Sequence, residues 1–389
     1  MSISKKIFII SSVLLAAVLF FMGIYNLSFK EKNTSSNLTP KSETASNAQN
    51  VLDKAKETLG LKNKDKIYLL ADRAILSPAV TDDGEKISYY DRSNGSVYKI
   101  YLNGDGEEQV ENNNFSGLGN IFWSSDQSKV ISSFNNNGKT EYSYYDYKTN
   151  KATKLSAGIS EIAWNNLGDG IAYSFSDSKT GKKTLNIANP DGTNWKKISD
   201  VPNKNIIIAP IPQSAFISFW NSPNAFEETA LNIVGTVGGN LRKIFSGRFG
   251  ADYLWSPNGA RALVSSSDSK GGSKINLAVI NSNGGEYQNL NIPTFASKCV
   301  WAKDNKTIYY ALPSISAAGL VLPNDYQNKK IITQDTFWKM DVTTGKAERI
   351  VDPQDIKSSY DASDLFLSPS EDVLFFINRT DGKLYGINL

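Results

Sequence analysis

The 389-residue chain contains no histidine, a single cysteine and three methionines. Without imidazole there is no Ser-His-Asp or Cys-His nucleophilic system, no His-ligated metal site and no His general base. The lone thiol, Cys299, cannot close an intrachain disulfide; two residues before Trp301 in an apolar stretch, it reads as a small core residue. No G-x-S-x-G elbow, Walker loop or dinucleotide fingerprint occurs, and the Gly pairs at 238–239, 271–272 and 284–285 read as hairpin turns. No catalytic residue, cofactor or metal is indicated. The run from Asn103 to Glu107 lacks EF-hand spacing. Carboxylate pairs that could serve glycoside hydrolysis (Asp82 and Asp83, Glu107 and Glu108, Glu227 and Glu228) fall in predicted turns or loops, where solvated charge is the simpler account.

Excess charge of one sign is also missing from most of the chain. Residues 1–65 carry nine Lys/Arg against five Asp/Glu, which leaves 33 against 34 beyond them, so the net +3 is N-terminal and no nucleic-acid face is implied. Long apolar runs are absent except for one. Ile7 to Leu27 is about 21 residues without a charge, enough at ~1.5 Å per residue to cross a ~30 Å hydrocarbon core. Lys5 and Lys6 precede it, so the expected organisation is a cytoplasmic tail and transmembrane signal anchor over 1–29, with the remainder extracytoplasmic. A cleaved signal peptide is the rival, disfavoured by the length of the run and the lack of a small-x-small cleavage site. Ser/Thr/Asn/Lys-rich residues 30–50 read as a flexible linker. Val51, Leu52, Ala55 and Leu59 share one helical face, which gives a short helix and connector over 51–65. An exported domain without disulfides is ordinary in bacterial envelopes.

What the chain does have is repetition. Seven segments repeat an apolar run, an anchor, a short Ser/Pro/Asp/Asn/Gly turn and a strand rich in aromatic and β-branched residues. The anchors read as Leu76, Trp123, Trp164, Ala209, Trp255, Trp301 and Leu367, spaced by 47, 41, 45, 46, 46 and 66 residues. A period of about 40 to 50 residues with several short strands per unit marks a β-propeller. The clearest copy is Asp252-Tyr-Leu-Trp-Ser-Pro-Asn-Gly259, followed by strands at Ala260 to Ser265 and Lys274 to Ile280. Pro presets φ for the turn and Asn-Gly supplies the positive φ that closes it. The fold class is therefore all-β: a seven-bladed β-propeller of four-stranded antiparallel blades over 66–389, with an N-terminal transmembrane helix. The last unit is one strand short, and Lys66 to Ala71 is an orphan strand, so the ring is expected to close by pairing of the two ends. The Trp anchors are expected to fill space between adjacent blades.

The copy Trp255-Ser-Pro-Asn-Gly259 resembles the TolB-like, WD40-like (PD40-type) propeller repeat, and the weaker copies keep its register over about 66–389. The resemblance implies a scaffold class and carries no catalytic residue. The missing histidine counts against the propeller lyases, and the propeller-bearing peptidases need a separate hydrolase domain. TolB-like propellers are envelope scaffolds, but the sizeable domain that precedes the propeller in TolB is not present here, so Tol-Pal membership does not transfer.

Irregular loops gather on one propeller face. Blade 4 has Asn221 to Glu228 between its second and third strands, directly after Phe219-Trp220; blade 6 has an expanded loop, Ser314 to Asp335, in the same place; and the connection Asp352 to Ser363 opens beside it. Trp220, Phe226, Leu320, Leu322 and Tyr326 are the candidate partner-binding residues, because long loops with apolar content must pack or bind something. The competing account is a lid over the central channel. The expected function is a membrane-anchored, non-catalytic scaffold at the cell membrane for an envelope protein or peptide. The alternative is a carbohydrate-binding or carboxylate-dependent polysaccharide-processing propeller.

Overall fold

The computed structural model describes residues 65–202, 204–315 and 319–389. The expected anchor at 1–29, linker at 30–50 and helix at 51–61 lie outside the described residues; among the described ones no helix is long and apolar enough to cross a membrane.

Seven four-stranded antiparallel sheets form the blades. Their first strands are Ile75–Val80, Leu118–Trp123, Ile159–Trp164, Ile206–Pro210, Asp252–Trp255, Cys299–Trp301 and Ala362–Leu367. In each sheet the first strand pairs only with the second, so one edge is free, and first strands of neighbouring blades approach one another around the axis. The fourth strand of blade 7 is Ile67–Ala71, paired antiparallel to Leu384–Asn388. Antiparallel order gives the ring two faces. The upper face carries the starts of the first strands, the loops between second and third strands and the connections between blades; the lower face carries the turns between first and second and between third and fourth strands.

The register shows why degraded copies of the turn still work. Ser256 N donates to Arg261 O at 2.8 Å and Gly259 N to Ser256 O at 2.8 Å. Gly259 has φ +67, and a Cβ there would stand 2.3 Å from Pro212 O. The equivalent residues Gly84, Gln127, Gly168, Asn305 and Glu371 also have positive φ. Gln, Asn and Glu thus adopt the left-handed conformation at a modest local cost, which the flanking pairing offsets.

The same register corrects two anchors. Trp123, Trp164, Trp255, Trp301 and Leu367 each precede the turn directly, and their counterparts in blades 1 and 4 are Val80 (opposite Ile87) and Pro210 (opposite Ile217), not Leu76 and Ala209. In blade 1 a bulge between Leu76 and Ala79, with Ser77 at φ +47, inserts residues that a fixed period does not anticipate.

All four Trp anchors join blades. Indole Nε1 of Trp123 donates to Ser77 O (2.9 Å), that of Trp164 to Phe122 O (2.8 Å), that of Trp255 to Ser218 Oγ (2.9 Å) and that of Trp301 to Leu254 O (3.1 Å), in each case reaching the preceding blade. Apolar clusters fill every interblade space, for example Leu263, Leu277 and Val279 of blade 5 against Cys299, Trp301 and Ile308 of blade 6, and Ile75, Ile87 and Tyr89 of blade 1 against Phe375 and Leu384 of blade 7.

Candidate functional site: a roofed pocket on blades 5 to 7

The long blade 6 loop leaves its strand at Ser314, contains the short helix Asn324–Gln327 and returns at Gln334. It packs downward and sideways. Leu322 and Tyr326 are buried in a cluster with Ile275 and Phe295, against which Leu320 is partly buried, and the Tyr326 ring stacks on Phe295 with centroids 4.4 Å apart. Leu322 N donates to Gly272 O of blade 5 at 2.9 Å, and Asn324 Oδ1 accepts from Ala225 N of blade 4 at 2.8 Å. The loop is therefore a strap across the upper face from blade 4 to blade 7.

Its anchor is a buried ionic cluster. Lys298, fully enclosed, directs Nζ to Asp335 Oδ2 (2.6 Å), Asp361 Oδ1 (2.8 Å) and Ala362 O (2.8 Å). Asp361 Oδ1 also accepts from Tyr326 Oη (2.9 Å) and Thr333 Oγ1 (3.0 Å), and Asp361 Oδ2 from Arg379 (3.3 Å). Two cations and two carboxylates with filled hydrogen-bond positions are the condition under which buried charge is tolerated. Burial pushes the Asp335 carboxyl up against the opposing pull of Lys298, whereas Lys298, Tyr326 and Arg379 hold the Asp361 carboxyl below its ordinary value despite burial.

Beside the strap lies a cavity of about 300 Å³, with Asp252, Ser265, Tyr326, Gln327, Asp364 and Arg379 in its wall. Asp252 opens the first strand of blade 5; its Oδ1 accepts from Trp220 Nε1 (3.0 Å) and Tyr253 N (3.1 Å), and among the described residues Oδ2 takes no hydrogen bond. Burial raises the Asp252 carboxyl pKa more than those two donors lower it. Asp364 is exposed, at φ +51, where the blade 7 first strand bulges between Ser363 and Phe366. Arg379 is already committed: it stands 3.9 Å over the Tyr326 ring and donates to Tyr326 O at 3.1 Å as well as to Asp361. The wall therefore presents two carboxylates to an incoming group and no uncommitted cation. It can accept hydrogen bonds from a cation or from hydroxyls.

Of the five candidate partner-binding residues, Trp220, Leu322 and Tyr326 are buried and used internally, Leu320 is half-buried within the strap, and Phe226 is 52 % exposed. Trp220 still matters, because it positions Asp252. Sequence reasoning missed Asp252, Lys298 and Asp364 as a set, although all three stand three residues before their anchors, as does Glu161 in blade 3. Of the carboxylate pairs, Glu107 pairs with Arg73 at 2.7 Å and accepts from Tyr89, Glu108 pairs with Lys86 at 2.7 Å, and Glu227 pairs with Lys204 at 2.5 Å, whereas Asp82 and Asp83 stand with Glu371 and Lys303 in the wall of a second cavity of about 550 Å³. Cys299 is buried, with its thiol pKa pushed up by desolvation.

Fold and pocket together define a seven-bladed β-propeller whose upper face is strapped by an insertion and opens into an acidic cavity. No family model matches the sequence and no curated protein matches it. Similar solved structures are propellers. An oligogalacturonate lyase in complex with manganese superposes at TM-score 0.58 with 15% identity, over 83% of this chain and 93% of that one. The oligogalacturonate lyase of Vibrio parahaemolyticus gives TM-score 0.59 and 13% identity over 84% and 94%. TolB from Acinetobacter baumannii matches over 55% of each chain, at 19% identity and TM-score 0.41. At these identities the likeness concerns the fold.

Proposed function

We propose that the protein is a membrane-tethered, extracytoplasmic interaction scaffold whose upper-face pocket takes a cationic side chain, Lys or Arg, from a partner protein or peptide of the cell envelope. The observation that carries this reading is the charge of the cavity: Asp252 and Asp364 line it while Arg379 is spent on Asp361 and Tyr326. Burial raises the Asp252 pKa and a neighbouring cation favours its ionised form, so binding tightens as pH rises through the titration of Asp252. Exposed Phe226, on the neighbouring blade 4 loop, supplies apolar contact beside it. The tether is the apolar run at 7–27.

The test is in-cell crosslinking of the full-length protein, with Asp364→Asn and Asp252→Asn beside the unaltered chain. Loop-face capture of one envelope protein, reduced about tenfold or more in either variant as expected for loss of a charge-assisted contact, supports the reading. Equal capture by all three chains overturns it.

A second reading, action on polysaccharide, draws on two carboxyls that burial raises, Asp252 and Glu161, the latter to about 7. The lyases share the fold, but among the described residues no three His, Cys, Asp or Glu side chains gather as a metal-binding group. Release of reducing ends from cell-wall polysaccharide, abolished by Glu161→Gln, would select this reading.

A further inference from the structure

The lower face carries an unrelated feature, on blades 3 and 4. Leu167, Trp195, Phe216, Val237 and Leu241 are exposed by 38 to 79%. Leu167 belongs to the turn between first and second strands of blade 3, Phe216 opens the second strand of blade 4, and the other three belong to the turns between third and fourth strands. They are neighbours. Lys196 Nζ donates to Val237 O at 3.2 Å, which brings the Trp195 turn against the blade 4 turn. Asn166 Nδ2 donates to Ile211 O at 2.8 Å and Ser214 O at 3.3 Å, which sets Leu167 beside the turn that leads into Phe216. Arg242 stands 5.1 Å from the centre of the Phe216 ring.

Basic side chains rim this band. Lys196, Arg242 and Lys243 are exposed and Lys197 is paired with Asp200 at 2.7 Å, against Asp169 and Asp191 in the lower turns of the same two blades. Asp169 is bonded to Asn165 and Asp191 to Thr193. Acidic residues stand in the lower turns of other blades: Asp82, Asp83 and Asp105 in blade 1, Asp126 in blade 2, Glu286 in blade 5, Asp304 in blade 6 and Glu371 in blade 7. The strand Ile67–Ala71 begins at this end of blade 7: Ile67 pairs with Ile387 and Asn388 with Val373, the residue that follows the blade 7 lower turn, while the preceding Asp65 is paired with Lys357 of the connection between blades 6 and 7.

We infer that the blade 3 and 4 edge of the lower face docks on an anionic phospholipid surface. An exposed Trp with Phe, Val and Leu suits the boundary between headgroups and acyl chains, and basic neighbours add attraction to anionic headgroups. A protein partner would satisfy the apolar band equally well, but the basic rim favours lipid. With blade 1 acidic, the contact is an edge contact that leaves the upper pocket open to the aqueous side.

Trp195 makes the inference testable, because of the seven tryptophans it alone is exposed. The full-length protein is reconstituted into vesicles of phosphatidylcholine with or without phosphatidylglycerol, each with brominated acyl chains, and tryptophan quenching is compared with that of Trp195→Phe. The expected result is quenching that is greater in anionic vesicles, reversed by salt and absent in Trp195→Phe. In salt titrations on added vesicles, Arg242→Gln and Lys243→Gln should each weaken association by about fivefold. Quenching equal in neutral and anionic vesicles, or protection of Trp195 without lipid that grows with protein concentration, overturns the inference; the latter would assign the band to a second copy. If the chain does not stay with reconstituted vesicles, the tether fails and not the docking, which added anionic vesicles then read directly.

Discussion

Three residues before the anchor, blades 3, 5, 6 and 7 place a charge, and packing gives each a different fate. Lys298 is swallowed by the blade 6 and 7 interface and neutralised there, and Asp252 and Asp364 face the pocket. Glu161, on the first strand of blade 3, has no hydrogen-bond partner among the described residues, and desolvation alone raises its pKa from 4.5 to about 7. Between those two values the folded chain holds this proton more tightly than the unfolded chain does. The contribution is therefore fully present below pH 4.5 and lost as pH rises to 7. Glu161→Gln should remove the dependence and leave the variant more stable than the parent by ~3 kcal/mol at pH 8, with little difference at pH 4.5. Urea denaturation of both chains at the two pH values measures it; parallel behaviour would mean that the carboxylate is solvated.

At the scale of elements, the blade 6 insertion shows what a sequence does and does not disclose. Its position and length are plain from the 66-residue anchor spacing, as is its apolar content. That its apolar residues turn inward is not, because their partners Ile275, Phe295 and Asp361 are distant in sequence and local pattern cannot pair them. The acidic pocket was half legible: the charge before the anchor repeats visibly, but which copy becomes buried depends on the strap. Replacing Ser314 to Asp335 by a short Gly/Ser turn removes Tyr326, Thr333 and Asp335 from the ionic cluster and leaves Lys298 with half its counter-charge. The expected loss is ~3–5 kcal/mol, the scale of a broken buried ion pair. Tyr326→Phe, which deletes only the bond to Asp361, should cost ~1 kcal/mol. Chemical denaturation of both variants reads the difference; an unchanged midpoint in the loop replacement would return the insertion to the status of a surface appendage.

At the scale of the molecule, period, turn chemistry and strand content disclosed the architecture before any coordinate did, and the two misplaced anchors trace to local irregularity, not to a wrong fold. A ring of like blades has no intrinsic end, so its stability rests on how the first and last strands meet. Here Ile67–Ala71 supplies the outer strand of blade 7, and Ile67, Tyr68 and Leu70 are buried. At ~1.5–3 kcal/mol for each large apolar side chain withdrawn from water, these residues contribute about 5 kcal/mol. Removing them also bares the edge of Leu384–Asn388 to pairing with other chains. Ile67 and Tyr68 pack into two different clusters, one between blades 6 and 7 and one between blades 7 and 1, so the loss opens both sides of blade 7. Deleting residues 66–71 should therefore lower the melting temperature of the whole ring in a single transition and promote association. A variant with an unaltered midpoint would show that three strands of blade 7 hold the circle on their own.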